Sequence, residues 1–93
     1  MEIHWTKRAE KNLESIENYI ASDSPKSAAE VTLKIIHCVE HLGEHPHLGR
    51  VGRVHGTREL IIADTPYIIP YRVKENRLEI LRVFHSSREW TDF

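Results

Sequence analysis

The sequence has a single cysteine, Cys38, and no long apolar segment. One cysteine excludes an internal disulfide, and a small domain without disulfides is typical of a reducing compartment, so we expect a cytoplasmic location. The longest uninterrupted aliphatic run covers residues 60–63, whereas a membrane-spanning helix needs ~20 apolar residues. The N-terminus carries no basic segment followed by an apolar stretch, so neither a secretory signal nor a membrane partner is predicted.

The chain is also short, with 93 residues, of which 40% are hydrophobic and 29% charged. This composition excludes intrinsic disorder, and the length predicts one domain over residues 1–93. A chain of this size buries about 60% of the surface that its unfolded form exposes. A protein partner that binds the folded form would therefore add to its stability.

The formal net charge is −1, but the charges are unevenly distributed along the chain. Residues 1–49 carry five Lys or Arg against eight Asp or Glu, and residues 50–93 carry eight against six. Seven of the eight later cations are arginines, and the arginine side chain is suited to forked contacts with carboxylates and phosphates. We therefore expect the C-terminal half to hold any surface that binds nucleic acid or an acidic partner.

The N-terminal half predicts a short strand followed by two helices. Polar and apolar residues alternate over residues 2–5, as in a strand. Thr6 is a suitable N-cap for a helix over residues 7–21, and Ser24, followed by proline, predicts the start of a second helix that ends at Gly43. Each helix is apolar along one face, so the two are expected to form a helical hairpin.

The C-terminal half predicts strands. Residues 44–57 hold four glycines or prolines, which predicts a long loop or a loop interrupted by a weak strand. Three strands follow, at residues 58–63, 67–73 and 77–84, and their short connections predict an antiparallel meander. Pro70 cannot donate a ladder hydrogen bond, so we expect it at an edge, a bulge or an unpaired position.

Together these elements predict an α+β fold in which an N-terminal strand and a helical hairpin pack on one face of a small, mainly antiparallel twisted sheet. The other sheet face would then be uncovered. Period-two alternation along the last strand separates two sets of side chains, with Leu78, Ile80, Arg82 and Phe84 on one face and Glu79, Leu81, Val83 and His85 on the other. We therefore expect an exposed, partly apolar face that carries arginines and binds a partner.

Five segments stand out by their order and spacing: Thr6-x-x-Ala9 with Leu13, Ile16 and Tyr19-Ile20; His45-Pro46-x-x-Gly49-Arg50; Thr57-Arg58-Glu59-Leu60; Tyr67-Ile68-Ile69-Pro70-Tyr71-Arg72-Val73; and Ile80-Leu81-Arg82-Val83-Phe84-His85. Together they cover nearly the whole chain, and they resemble the RelE/ParE superfamily of bacterial toxins. The resemblance implies the toxin half of a type II toxin–antitoxin pair. Its partner would be a small antitoxin whose C-terminal segment wraps across the toxin in a hetero-oligomer.

The superfamily contains two mechanisms. RelE-like members cleave messenger RNA in the ribosomal A site, where a general base, a general acid and cations act on the phosphate. ParE-like members have no such nuclease site and instead poison DNA gyrase, which stops replication. A third alternative for this chain is a binding module without toxicity.

If the chain is a nuclease, the resemblance implies Arg58, Arg82 and His85 as its catalytic residues. The two arginines would clamp the phosphate, and His85 would act as acid or base. The candidate binding residues share the arginine-bearing half of the chain: Arg50, Arg53, Arg88 as a further cation, and Trp90 as a platform on which a base stacks.

Several features favour the gyrase mechanism over RNA cleavage. Nuclease relatives often carry arginine directly after the tyrosine that opens the middle strand of the meander, where this chain has Ile68. The lysines that RelE itself places in the preceding strand are also missing, since Arg58 is the only cation there. Strand alternation places Arg82 and His85 on opposite faces unless the strand ends or bulges. The near-neutral net charge also suits the ribosomal A site poorly.

A run of histidines, at positions 37, 41 and 45, is spaced by four residues, and His47 follows. Two histidines at that spacing can share a metal ion on one helical face. The alternative is solvent exposure, since no carboxylate-rich or cysteine cluster completes a coordination shell. We therefore predict no metal site and no cofactor.

Overall fold

The computed structural model describes residues 1–87, and within this range the chain forms two helices and six strands. In chain order these are β1 Glu2–Trp5, α1 Lys7–Ala21, α2 Pro25–His41, β2 Arg50–Val51, β3 Arg58–Ile61, β4 Tyr67–Lys74, β5 Arg77–Ile80 and β6 Phe84–His85. The α+β class predicted from the sequence is confirmed, and the weak strand inside the predicted loop is β2.

Both helices begin at a residue whose side chain caps them. Thr6 Oγ1 accepts a hydrogen bond from the backbone N–H of Ala9, and Ser24 Oγ accepts one from Ser27, each at 3.2 Å. These bonds satisfy N–H groups that the first helical turn leaves unpaired. The Thr6 hydroxyl also donates to the carbonyl oxygen of Ile80 at 2.8 Å, so it joins the start of α1 to the end of β5.

The strands form one mixed sheet in the order β1-β5-β4-β3-β2, and β6 pairs with β4 beyond the end of β5. The β1–β5 pair is parallel, and the other pairs are antiparallel. The β4–β5 hairpin closes through Glu75 and Asn76, whose φ angles are 52° and 62°. Positive φ at both central residues is the pattern of a type I′ turn, which matches the natural twist of the flanking strands.

The helical hairpin packs on one face of the sheet, and the main core lies between the two layers. Its fully buried side chains include Ile35, Val39 and Leu42 from the helical layer and Ile62, Ile69, Tyr71, Leu78 and Ile80 from the sheet. Trp5 and Cys38 pack, partly buried, against this core. Cys38 is therefore a packing residue of α2, in agreement with its position beside the apolar stripe of this helix.

The strand predicted over residues 77–84 is interrupted, and this prediction is corrected here. Tyr71 of β4 pairs with Ile80, whereas Ile68 of β4 pairs with Phe84. Two residues of β4 therefore face three residues, 81–83, of the other strand, which is a β-bulge. Strand β5 ends at Ile80, and the chain pairs with β4 again as β6.

Pro70 of β4 lies opposite this bulge, one of the three positions expected for it. Its carbonyl oxygen accepts a hydrogen bond of 2.9 Å from the N–H of Leu81. Because proline has no N–H, it cannot return the second bond of a regular antiparallel pair. The regular ladder therefore stops at this point.

The bulge also reverses the alternation of side chains after Ile80, so the predicted faces of the last strand are partly wrong. Val83 joins the main core beneath the helices, whereas Phe84 forms a second cluster with Ile68 and Val54. Regular alternation predicts Phe84 on the same face as Ile80, and Val83 on the opposite face. The second sheet face is also less open than expected, because Val54 of the loop after β2 packs on it.

Candidate functional site

A groove lies between α1 and β6, and the bulge brings Arg82 and His85 into it together. The groove has a volume of about 660 Å³. It is lined by Asn12, Ser15 and Tyr19 of α1 and by Tyr67, Arg82 and His85 of the sheet, among others. We call it the α1–β6 groove. A regular strand would have placed Arg82 and His85 on opposite faces, so their convergence depends on the one-residue insertion.

Asn12 holds the bulged segment against α1. Its Oδ1 atom accepts two hydrogen bonds of 3.1 Å, one from Nε of Arg82 and one from the backbone N–H of Val83. The sequence interpretation missed Asn12, although it is a polar residue beside the apolar stripe of α1 formed by Ala9, Leu13 and Ile16. A polar side chain in that position indicates a partner in the facing layer.

His85 is exposed at the mouth of the groove, and its ring is fixed from both sides. Nδ1 accepts a hydrogen bond from the backbone N–H of Ser87 at 3.1 Å and lies 2.8 Å from the Ser87 hydroxyl. The ring meets that of Tyr67 edge to face, with centroids 5.8 Å apart. Because Nδ1 accepts a bond from an N–H group, the proton of the neutral ring resides on Nε2, which then acts as a donor.

Arg58, the third predicted catalytic residue, is not brought into the groove. Its guanidinium group donates to the carbonyl oxygen of Gly49 at 2.8 Å and to that of His47 at 3.5 Å. These bonds tie the loop before β2 to the start of β3. The structure therefore groups Arg82 with His85. Arg58 lies apart from them and is hydrogen-bonded to the backbone of the loop before β2.

Arg50 and Arg53 lie together around the carboxylate of Glu59. Arg50 donates to Oε1 at 3.0 Å, and Arg53 meets Oε2 through both its backbone N–H at 2.9 Å and its side chain at 3.4 Å. The Glu59 side chain is 1% exposed, whereas those of Arg50 and Arg53 are 52% and 45% exposed. We call this group the Glu59 cluster, and it presents two cations at the surface above one buried anion.

Opposing effects act on the pKa of Glu59. Burial alone raises the pKa of this carboxyl, but the hydrogen bonds from the Arg53 backbone and the Arg50 side chain, with the charges of both arginines, outweigh it. The net result is a pKa below the usual value of a glutamate. Glu59 is therefore an anion that offsets part of the positive charge of Arg50 and Arg53.

The position at which nuclease relatives often carry arginine is occupied by a buried apolar side chain. Ile68 is 6% exposed and packs against Phe84, which is 4% exposed, and Val54. The guanidinium carbon of Arg53 lies 5.6 Å from the centre of the Phe84 ring, within the range of a cation–π contact. The Glu59 cluster and this apolar cluster are therefore adjacent.

Two predicted binding residues, Arg88 and Trp90, lie outside the described residues. Within residues 1–87, no three His, Cys, Asp or Glu side chains are grouped closely enough to hold a metal ion. Neither of the two helices in that range is long and apolar enough to cross a membrane.

Comparison with solved structures identifies the class of this protein. The fold is similar to that of a chain from the chromosomal ParDE toxin–antitoxin system of P. aeruginosa, with a TM-score of 0.82 and 30% sequence identity. The match covers 91% of this chain and 95% of that chain. The fold is thus one used by the proteins of toxin–antitoxin systems.

Sequence comparison identifies the family. The model of the family described as the ParE toxin of the type II toxin–antitoxin system, parDE, matches residues 3–90, and the chain belongs to this family. It is 48% identical over 88 residues to a protein of Sinorhizobium fredii named as toxin Y4kP, covering 95% of this chain and 91% of that protein. It is 33% identical over 87 residues to the toxin RelE2 of Caulobacter vibrioides, covering 94% and 97%.

Family membership confirms the resemblance to the RelE/ParE superfamily that the sequence motifs indicated. The chain is the toxin of a type II toxin–antitoxin system of the ParDE kind, and the family implies a cognate antitoxin as its partner.

Proposed function

We propose that this toxin inhibits growth by poisoning DNA gyrase in the cytoplasm, and that direct binding of its antitoxin neutralises it. The observation that supports this mechanism over RNA cleavage is the burial of Ile68 against Phe84. Ribonuclease chemistry needs cations close to the phosphate as negative charge develops on it. An apolar cluster occupies the position where nuclease relatives often carry arginine, so this chain lacks the cation that those relatives have there.

The charges around Ile68 support the same proposal. Arg53 lies beside this cluster, and both Arg53 and Arg50 pair with the buried carboxylate of Glu59. A phosphate that approached them would compete with that carboxylate. The imidazole of His85 is also poorly placed as a general base, because its Nδ1 atom already accepts a hydrogen bond from Ser87.

We also propose the Glu59 cluster as the place where acidic residues of the antitoxin bind. Arg50 and Arg53 keep about half of their side-chain surface exposed, and guanidinium groups form forked contacts with carboxylates. The exposed side chain of Ile61, on the neighbouring strand β3, offers apolar surface to the same partner. Arg50→Glu combined with Arg53→Glu is expected to weaken antitoxin binding in a direct binding measurement, whereas Arg77→Glu at the distant β4–β5 turn is the matched control.

Purified gyrase with supercoiled plasmid tests the mechanism. The toxin is expected to trap gyrase on DNA, so that linear plasmid accumulates after the complex is denatured and digested with protease. Addition of the antitoxin before gyrase should prevent the accumulation of linear plasmid. If no linear product accumulates at a toxin concentration that arrests growth, gyrase poisoning is wrong.

RNA cleavage is the second candidate, and the observation that favours it is the convergence of Arg82 and His85 in the α1–β6 groove. The two mechanisms differ in which synthesis stops first after induction in a bacterial host. Early loss of thymidine incorporation indicates gyrase, and early loss of methionine incorporation indicates messenger RNA. Toxicity lost in His85→Ala but kept in His55→Ala, with both variants folded, would favour the nuclease.

A further inference from the structure

A pair of histidines on the outer face of α2 lies apart from the α1–β6 groove and the Glu59 cluster. His37 and His41 are four residues apart and exposed, and their Nε2 atoms are 3.4 Å from each other. The ring centroids are 4.9 Å apart and the ring planes are nearly perpendicular, at 85°. The rings therefore do not stack face to face, and it is their nitrogen atoms that approach each other.

This separation is that of a hydrogen bond between the two rings, and it also matches the spacing of two nitrogens that share one metal ion. Imidazole nitrogens bind zinc at 2.0–2.1 Å, so two of them on one tetrahedral ion are about 3.4 Å apart. Neutral imidazole also suits nickel and copper, whereas magnesium and calcium prefer oxygen ligands. The spacing of the two nitrogens thus permits a shared ion, and their chemistry selects a transition metal.

We propose that His37 and His41 chelate one divalent transition-metal ion, of the zinc, nickel or copper class, through their Nε2 atoms. No cluster of three potential ligands occurs within residues 1–87, so water would fill the other coordination positions of the ion. The chain therefore offers an open, two-ligand site. This inference revises the expectation of no metal, which rested on the lack of a complete ligand set in the sequence.

The fold holds the backbone positions of the two histidines at a fixed spacing without help from the metal. Ile35 and Val39, on the opposite side of α2, are buried in the main core at 0% and 1% exposure, so the helix cannot rotate away. In the unfolded chain the two side chains lose this fixed spacing. A metal ion that binds the folded form more tightly must raise its stability.

Thermal unfolding of the full chain without an affinity tag, titrated with ZnCl₂ and separately with NiCl₂, tests the proposal. At a free metal concentration a hundred times the Kd, the unfolding midpoint is expected to rise by roughly 10–20 °C. His37→Ala and His41→Ala should each abolish most of this rise. His45→Ala and His47→Ala, which change neighbouring exposed histidines, should retain it.

Copper spectroscopy adds a measurement that does not depend on stability. The electron paramagnetic resonance spectrum of one equivalent of Cu²⁺ is expected to show coupling to two imidazole nitrogens, and this pattern should be lost in either single variant. An unchanged midpoint for the wild-type chain in both titrations, or the same rise in His37→Ala, would overturn the proposal. Neither measurement involves gyrase or the antitoxin, so the outcome is independent of the proposed function.

Discussion

Leu81 donates one hydrogen bond to Pro70, at 2.9 Å, and receives none in return. A regular antiparallel pair at this position would exchange two bonds, but proline has no N–H to donate. The carbonyl oxygen of Leu81 instead lies 3.3 Å from the Thr6 hydroxyl, whose one proton it shares with the nearer carbonyl oxygen of Ile80. The chain leaves the ladder here, and three residues pass before pairing with β4 resumes. The convergence of Arg82 and His85 follows from this departure.

The first prediction concerns Asn12, whose side chain supplies a hydrogen-bond partner to the bulge where the β4–β5 ladder is interrupted. Asn12→Ala removes the acceptor for the backbone N–H of Val83, a residue that is 2% exposed. A buried donor without a partner costs about 2 kcal/mol, so the free energy of unfolding in urea should fall by that amount. Asn18→Ala, an exposed position on the same helix, is the control and should change little. Equal losses in both variants would show that Asn12 does not anchor the bulge.

Local features of the sequence predicted the helices well, because their signals lie within a few residues of each boundary. The predicted helix over residues 7–21 has the bounds of α1, and its capping residue Thr6 accepts the expected bond. The apolar face predicted for the second helix is also the face that α2 buries, through residues such as Ile35 and Val39. Each of these inferences depends on neighbours along the chain.

The candidate site was harder to predict because it depends on residues that are distant in the sequence. Pro70 indicated an edge, a bulge or an unpaired position, but the sequence does not state which of these occurs or which strand gains the extra residue, and that choice sets the direction of His85. Glu59 is an acidic residue in a strand, and its partners come from tertiary structure: Arg50 through the pairing of β2 with β3, and Arg53 through the path of the loop after β2. Register and loop path are therefore the properties that sequence periodicity did not determine.

The second prediction compares the two helix caps. Ser24→Ala removes a cap whose only described role is the bond from Ser27, and an N-cap is worth about 1 kcal/mol. Thr6→Ala removes an equivalent cap and also the hydroxyl donor to the carbonyl oxygen of Ile80. We therefore expect a loss of about 2 kcal/mol for Thr6→Ala. Chemical unfolding of both variants measures the difference, and a larger loss for Ser24→Ala would contradict this ranking.

The third prediction concerns a buried phenol that supports the loop before β2. The Tyr71 hydroxyl accepts from the N–H of Gly49 and donates to the carbonyl oxygen of Pro46, each at 2.8 Å. Tyr71→Phe keeps the ring but leaves both backbone groups without this partner, so we expect a loss of about 2 kcal/mol. Tyr19→Phe changes a side chain of a residue that is 77% exposed and serves as the matched control. Thermal or urea unfolding of the two variants should separate them clearly, and no separation would mean that water replaces the hydroxyl.

The last prediction concerns the dependence of stability on pH through Glu59. Because its pKa is lowered in the folded protein, the ionised form is favoured by folding, and the resulting stability is present above the unfolded value of about 4.3. That stability is lost as the pH falls through the folded pKa, where Glu59 takes up a proton.

Glu59→Gln removes the charge at every pH, so its cost relative to wild type should be about 2 kcal/mol at neutral pH. The cost should shrink as the pH falls below 4.3, because the wild-type carboxyl is then also neutral. Urea unfolding across this range measures the difference, and Glu40→Gln on the exposed face of α2 is the control. If the loss of unfolding free energy in Glu59→Gln stays constant with pH, the charge of Glu59 does not stabilise the Glu59 cluster. The hydrogen bonds that its two oxygen atoms accept would then account for the whole effect.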